Sequence, residues 1–142
     1  MIVATIVFLR QGNQILLGWK KRGFGSDRYN GIGGKVEPGE EIEQAMIREC
    51  QEEIGVTPTV YHKVAELHFT FESDQQDITA HTYFCDAWQG EPTESDEMAP
   101  EWFSMEEIPY NQMWIDDSIW LPLVLQGQHI KATFRFDDKE QI

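Results

Sequence analysis

Residues 41–54 carry a set of carboxylates that a helix would gather on one side. On a wheel turning about 100° per residue, with Ile42 at zero, Met46, Cys50 and Ala45 fall within roughly 80° of it. Glu49 and Glu53 land inside the same arc, about 20° either side of zero, and Glu52 borders it. Gln44, Arg48 and Gln51 point away from it. The face that should be buried therefore holds or borders three acids, at i, i+3 and i+4 spacing that brings them together on adjacent turns. Buried charges must be paired or bind a metal, and Arg48 cannot pair with all three. Clustered, half-buried carboxylates repel one another and raise each other's pKa. A divalent cation resolves that conflict, and an all-oxygen donor set favours Mg²⁺ or Mn²⁺ over zinc. The alternative is a solvated acidic face.

The helix that positions these acids is well marked. It opens on acidic residues, which suits the helix dipole, and stops at Gly55, with Pro58 beyond. Before it, residues 2–9 are β-branched and apolar and read as a buried strand. Residues 11–13 read as a turn and 14–19 as a second strand. Residues 20–30 and 35–39 read as loops, the second with Pro38-Gly39 suited to a type II turn. After the helix, 60–71 and 78–88 read as strands around a polar turn at 73–77. Residues 89–100 form an acidic loop and 101–103 a short strand, and Ser104 with Glu107 forms a capping box. Residues 116–126 read as a helix ending at Gly127, with Pro122 against a perfectly regular one. Ile130, Ala132, Phe134 and Phe136 alternate with polar residues in a half-buried last strand. Strands mixed with two helices indicate an α/β sandwich with a mixed sheet.

Length and composition set the outer limits. The 142 residues fit one domain, 1–142, and 41% apolar with 25% charged residues suits a globular chain. The net charge of −14 argues against nonspecific binding to a nucleic-acid polymer or an anionic membrane. Residues 1–36 nevertheless hold six bases and one acid, a net +5, while 37–142 hold 24 acids and five bases, a net −19. A basic stretch before the acidic helix is where an anionic ligand is expected. There is no apolar run of transmembrane length and no basic n-region at the start. Cys50 and Cys85 read as reduced, buried thiols, in keeping with a cytoplasmic protein. Nothing demands more than a monomer.

Gly34, Glu40, Arg48, Glu49, Glu52, Glu53 and Gly55 fit the pattern G-x5-E-x7-R-E-U-x-E-E-x-G-U, with Cys50 and Val56 at the aliphatic positions. This resembles the box of the Nudix hydrolases. Similarity in 20–25, 29–35, 94–98, 102–103, 108–109, 113–118 and 120–123 extends to the MutT-like branch that hydrolyses oxidised purine nucleoside triphosphates. The resemblance implies a Nudix-fold α/β/α sandwich with a mixed, mostly antiparallel sheet. It implies Mg²⁺-dependent hydrolysis of a nucleoside diphosphate linked to another group, for this branch 8-oxo-dGTP or a similar triphosphate, to monophosphate and pyrophosphate. Glu49, Glu52 and Glu53 would hold the metal with the Gly33 carbonyl, and Arg48 would orient them. Glu97, in a matched acidic segment, is a candidate further ligand or base. The cation would screen phosphoryl charge and activate water, and one glutamate would serve as general base.

The chemistry of a purine singles out further residues. Asn30 carries a donor and an acceptor and can read a base edge. If Asp116 and Asp117 converge on a base, one can be held protonated by the other's charge, so the pair offers both a donor and an acceptor. Asp116 is also a plain N-cap candidate. Trp114 and Phe24 would stack or pack on the base. Thr5, Phe69 and Ile78 match pocket-lining positions, and Lys20 would approach sugar or phosphate. Tyr29, Ile32, Ile115 and Ile78 depart from the branch's pattern and should alter the shape near the base. Two other readings are open: hydrolysis of ADP-ribose or a dinucleoside polyphosphate, and a nucleotide-binding Nudix module without catalysis.

Overall fold

Strand β1 (Ile2–Gln11) organises the molecule because its alternate side chains serve two cores. Phe8 enters one, with Trp120, Leu121 and Val124; Val7 and Leu9 enter the other, with Met46, Cys50 and Ile54. A computed structural model describes residues 1–72 and 76–142. After β1 come β2 (Gln14–Lys20), β3 (Arg28–Asn30), β4 (Ile32–Lys35), α1 (Ile42–Ile54), β5 (Thr57–Phe71) and β6 (Ile78–Gln89). Then follow β7 (Met98–Ser104), α2 (Asp117–Leu125) and β8 (Ile130–Phe136). The polar turn expected at 73–77 falls largely outside the described residues.

The sheet runs β3-β2-β1-β6-β5-β8, with β4 also on β1 and β7 also on β2. β1–β6 and β5–β8 are parallel; the remaining pairs are antiparallel. α1 lies on one face and α2 on the other, the α/β/α arrangement expected. Cys50 and Cys85 are both free and buried in the α1-side core. Among the described residues no helix is long and apolar enough to cross a membrane.

α1 starts where its signals put it. Glu41 is the N-cap and donates its N–H to Gln44 Oε1 at 2.9 Å. Gly55 closes the helix at φ 73°, and its N–H reaches Gln51 O at 3.1 Å. Four local expectations change. β3 and β4 fall inside stretches read as loop or left unassigned. β7 begins at Met98, ahead of the expected 101, because it pairs with β2 along its whole length. The Ser104–Glu107 capping box does not form: the Ser104 hydroxyl donates to Glu106 instead. α2 runs through Pro122 as expected, but Asp116 at its start makes no side-chain cap, so the plain N-cap role does not hold.

Candidate active site

The loop before α1 and the helix itself are joined by one guanidinium. Arg48 Nε donates to Glu40 Oε2 at 2.7 Å and Nη2 to Glu40 Oε1 at 3.0 Å, a bidentate pair. Nη2 also reaches the Lys35 carbonyl at 3.1 Å. Nη1 donates to Glu49 Oε1 at 2.9 Å and to Glu52 Oε2 at 3.2 Å. Hydrogen bonding from Arg48 pulls the Glu40 carboxyl down to about 2. Arg48 does not reach Glu53, so the most buried acid of the helix has no cationic partner of this kind.

Glu53 is 5% exposed and accepts the Gly33 N–H at 3.2 Å. Burial, then the charge of Glu49, pushes its carboxyl up to about 8. Glu49 is also raised, chiefly by burial and against the pull of Arg48, with Glu52 and Glu97 adding repulsion. Gly34 leaves the space that Glu49 occupies: a Cβ there would stand 2.6 Å from the Glu49 carboxyl carbon. One buried and one half-buried carboxylate, mutually repelling beside two glycines, are a donor set that suits a hard divalent cation. The expected third carboxylate is not with them. Glu52 lies on the border of the helix face and is turned out to solvent by Arg48, its side chain 60% exposed. Glu97 is likewise outward, 3.6 Å from Arg22. Among the described residues no three His, Cys, Asp or Glu side chains converge on one cation position.

Beyond Gly33 and Gly34 opens a cavity of about 400 Å³. Its wall includes every residue expected on the substrate side: Thr5, Lys20, Phe24, Asn30, Phe69, Ile78, Trp114, Asp116 and Asp117. Lys20 stands at the junction, where its charge also favours the ionised form of Glu53. Asp116 and Asp117 are 3% and 8% exposed, so they are buried acids facing the cavity. The Trp120 indole N–H donates to Asp116 Oδ2 at 2.8 Å. Burial raises Asp116 to about 6. Asp117 goes well above its ordinary value through burial and then the Asp116 charge. Two adjacent buried acids that hold one proton between them can present one donor and one acceptor.

The structure corrects several details. Both amide hydrogens of Asn30 are used on its own loop, to Gly25 O at 3.0 Å and Arg28 O at 3.1 Å, so it offers the cavity an acceptor only. Strand alternation puts the Thr5 side chain on the α1 face with Val7, where its hydroxyl is buried without a partner. Trp114 already carries Phe24 stacked at 5.1 Å between centroids. Lys21 and Arg22 do not wait for an anion: Lys21 binds Glu94 and the Ser95 carbonyl, and Arg22 pairs with Glu97. Lys20 and Lys35 are the cations of that stretch that border the cavity. Of the four departing positions only Ile78 lines it. Ile32 is buried under α1, Tyr29 donates to Glu101 at 2.8 Å, and Ile115 is solvent-facing. Sequence reading missed Phe71 and Phe136, which complete the apolar wall; the alternation of β8 already put Phe136 inward.

A profile of the NUDIX domain matches residues 1–124. The oxidized purine nucleoside triphosphate hydrolase of Danio rerio is 45% identical over 138 residues, covering 97% of this chain and 88% of that protein. The Mus musculus protein of the same name is 44% identical over the same shares. Among solved structures, the MutT protein from Bacillus halodurans superposes with a TM-score of 0.88 over 99% of this chain and 94% of that one. At 23% identity that likeness speaks for the fold alone. The profile spans β1 to β7, the glycine loop and the helix that carries Arg48 and the glutamates, and on that match the chain belongs to the Nudix family.

Proposed function

We propose that this chain hydrolyses oxidised purine nucleoside triphosphates of the 8-oxo-dGTP type to the monophosphate and pyrophosphate, clearing them from the nucleotide pool. The observation that carries this reading is the continuity of two chemistries: a cavity lined by the buried aspartate pair reaches Gly33 and Gly34, which lie directly against Glu53 and Glu49 of α1. The aspartate pair suits the Watson–Crick edge of a modified purine, with Asn30 as a further acceptor. A base of the wrong pattern would leave a buried group unpaired, which is a strong source of discrimination. Phe69, Ile78, Phe24 and Trp114 supply apolar surface around the ring. Lys20 suits the sugar or phosphate end.

Glu49 and Glu53, with the Gly33 carbonyl, would hold Mg²⁺ or Mn²⁺, with Glu52 and Glu97 as further ligands once released from Arg48 and Arg22. When bound, the cation would screen phosphoryl charge and lower the pKa of water. Arg48 fixes Glu49 against the loop through Glu40. Glu52 and Glu97 are solvent-exposed carboxylates at the rim of this group. The proposed protein is a monomer that takes small nucleotides and needs no nucleic-acid polymer or membrane. Two free, buried thiols suit a reducing cytoplasm.

The test is pyrophosphate release in saturating Mg²⁺ from a panel of modified and normal nucleoside triphosphates. Preference for an oxidised purine supports the reading. Equal turnover of all bases, or preference for ADP-ribose, overturns it.

A further inference from the structure

Arg28 lies outside the cavity wall, yet it touches two residues of that wall and one of the C-terminal turn. Its guanidinium carbon sits 4.2 Å from the centroid of the Trp114 ring. Its carbonyl accepts one of the two amide hydrogens that fix Asn30. Its Nη2 donates to Glu140 Oε1 at 3.0 Å, 112 residues along the chain. Trp114 in turn stacks on Phe24 and meets Phe136 edge-on at 5.5 Å.

The Glu140 end is built for the contact. Asp137 Oδ1 accepts the N–H groups of Lys139 and Gln141 at 2.8 and 2.9 Å, and the Glu140 N–H bonds to Asp137 O at 3.0 Å. This closed turn follows directly on Phe136, which is buried in the α2-side core. It holds Glu140 at φ 60°, a left-handed conformation uncommon for a residue with a side chain. In that conformation the carboxylate lies on Arg28. A half-buried guanidinium with a carboxylate on one side and an indole on the other has little freedom to leave.

We propose that Arg28 is a positioning residue for base recognition: its guanidinium holds the Trp114 ring in place beside the Asn30 amide that its backbone carbonyl anchors, and Glu140 holds the guanidinium. This rests on the cavity receiving a planar base, and it assigns that task to a residue the base does not touch. The cation over the indole fixes ring position more than it adds binding energy. Its loss should therefore appear in affinity for the base and not in the hydrolytic step.

The experiment titrates 8-oxo-dGMP and dGMP, without metal, into the wild type and into Arg28→Leu, Arg28→Lys and Glu140→Gln, following tryptophan fluorescence, with kcat and KM measured in parallel. Arg28→Leu is expected to weaken 8-oxo-dGMP by about tenfold and to leave kcat within about threefold. Lysine should restore most of the affinity, and Glu140→Gln, a surface change that leaves the core intact, should weaken it about threefold. Affinity within twofold of wild type in both Arg28→Leu and Glu140→Gln overturns the proposal, as does a fall in kcat with binding unchanged. The binding arm needs no turnover. Weakened binding in a protein without preference for oxidised triphosphates would therefore retain the role of Arg28 and remove the proposed activity.

Discussion

Replacing Glu53 with glutamine should stabilise the metal-free protein while removing its activity, and the size of the gain follows from burial. In the fold the Glu53 carboxyl titrates at about 8 instead of its ordinary 4.5, because it is desolvated and faces Glu49. The unfolded chain loses this proton near 4.5; the folded chain keeps it until about 8. Between those values the folded state binds more protons, so rising pH erodes stability. At about 1.4 kcal/mol per pKa unit, ionised Glu53 costs about 4 kcal/mol once the pH reaches 8. Glutamine has the same shape, keeps an oxygen for the Gly33 N–H and carries no charge. Urea unfolding in chelator should therefore show Glu53→Gln more stable than wild type by about 4 kcal/mol near pH 8 and nearly equal to it below pH 5. Saturating Mg²⁺ should narrow the gap by stabilising the wild type alone. Equal stability of the two proteins in chelator near pH 8 would refute the claim that Glu53 is held as an uncompensated acid.

Two further outcomes follow from distances and burial. Gly34→Ala should displace the Glu49 carboxylate, whose carbon lies 2.6 Å from the new Cβ, and weaken Mg²⁺ affinity by about tenfold or more with the fold intact; metal titration by calorimetry checks this, and an unchanged affinity would mean Glu49 is not a ligand. Asp116, raised by burial to about 6, keeps its proton in the fold after the unfolded chain has lost it, so stability should fall as pH climbs from about 4 to about 6. Thermal melts of Asp116→Asn across that range should show the slope reduced.

How much was legible beforehand depended on sequence distance. Helix 41–54 announced itself through periodicity, its acidic start and Gly55, and that same periodicity placed Glu49 and Glu53 on the buried side. Glu52 shows the limit of a wheel: a border position can turn either way, and Arg48, four residues back, turned it out. β4 was hidden because Gly33 and Gly34 have no side chains to signal a strand. It is a strand because it presses against β1 so closely that a Cβ on Gly33 would meet the Thr5 carbonyl at 1.8 Å. The basic loop looked free because its partners, Glu94 and Glu97, lie more than seventy residues away and arrive through the β2–β7 pairing. The Arg28–Glu140 contact has no local signal at all.

The placement of sulfur has a consequence of its own. Cys50 and Cys85 are buried, and burial pushes both thiols up, so the thiolate that would attack peroxide is scarce. Met46, Met98 and Met113 are packed in the two cores, while Met1, 67% exposed, meets solvent first. Sulfoxidation therefore strikes the chain's end long before it reaches α1 or the cavity wall. A burst of peroxide that generates the proposed substrates would leave the helix that carries Arg48 and the glutamates chemically intact.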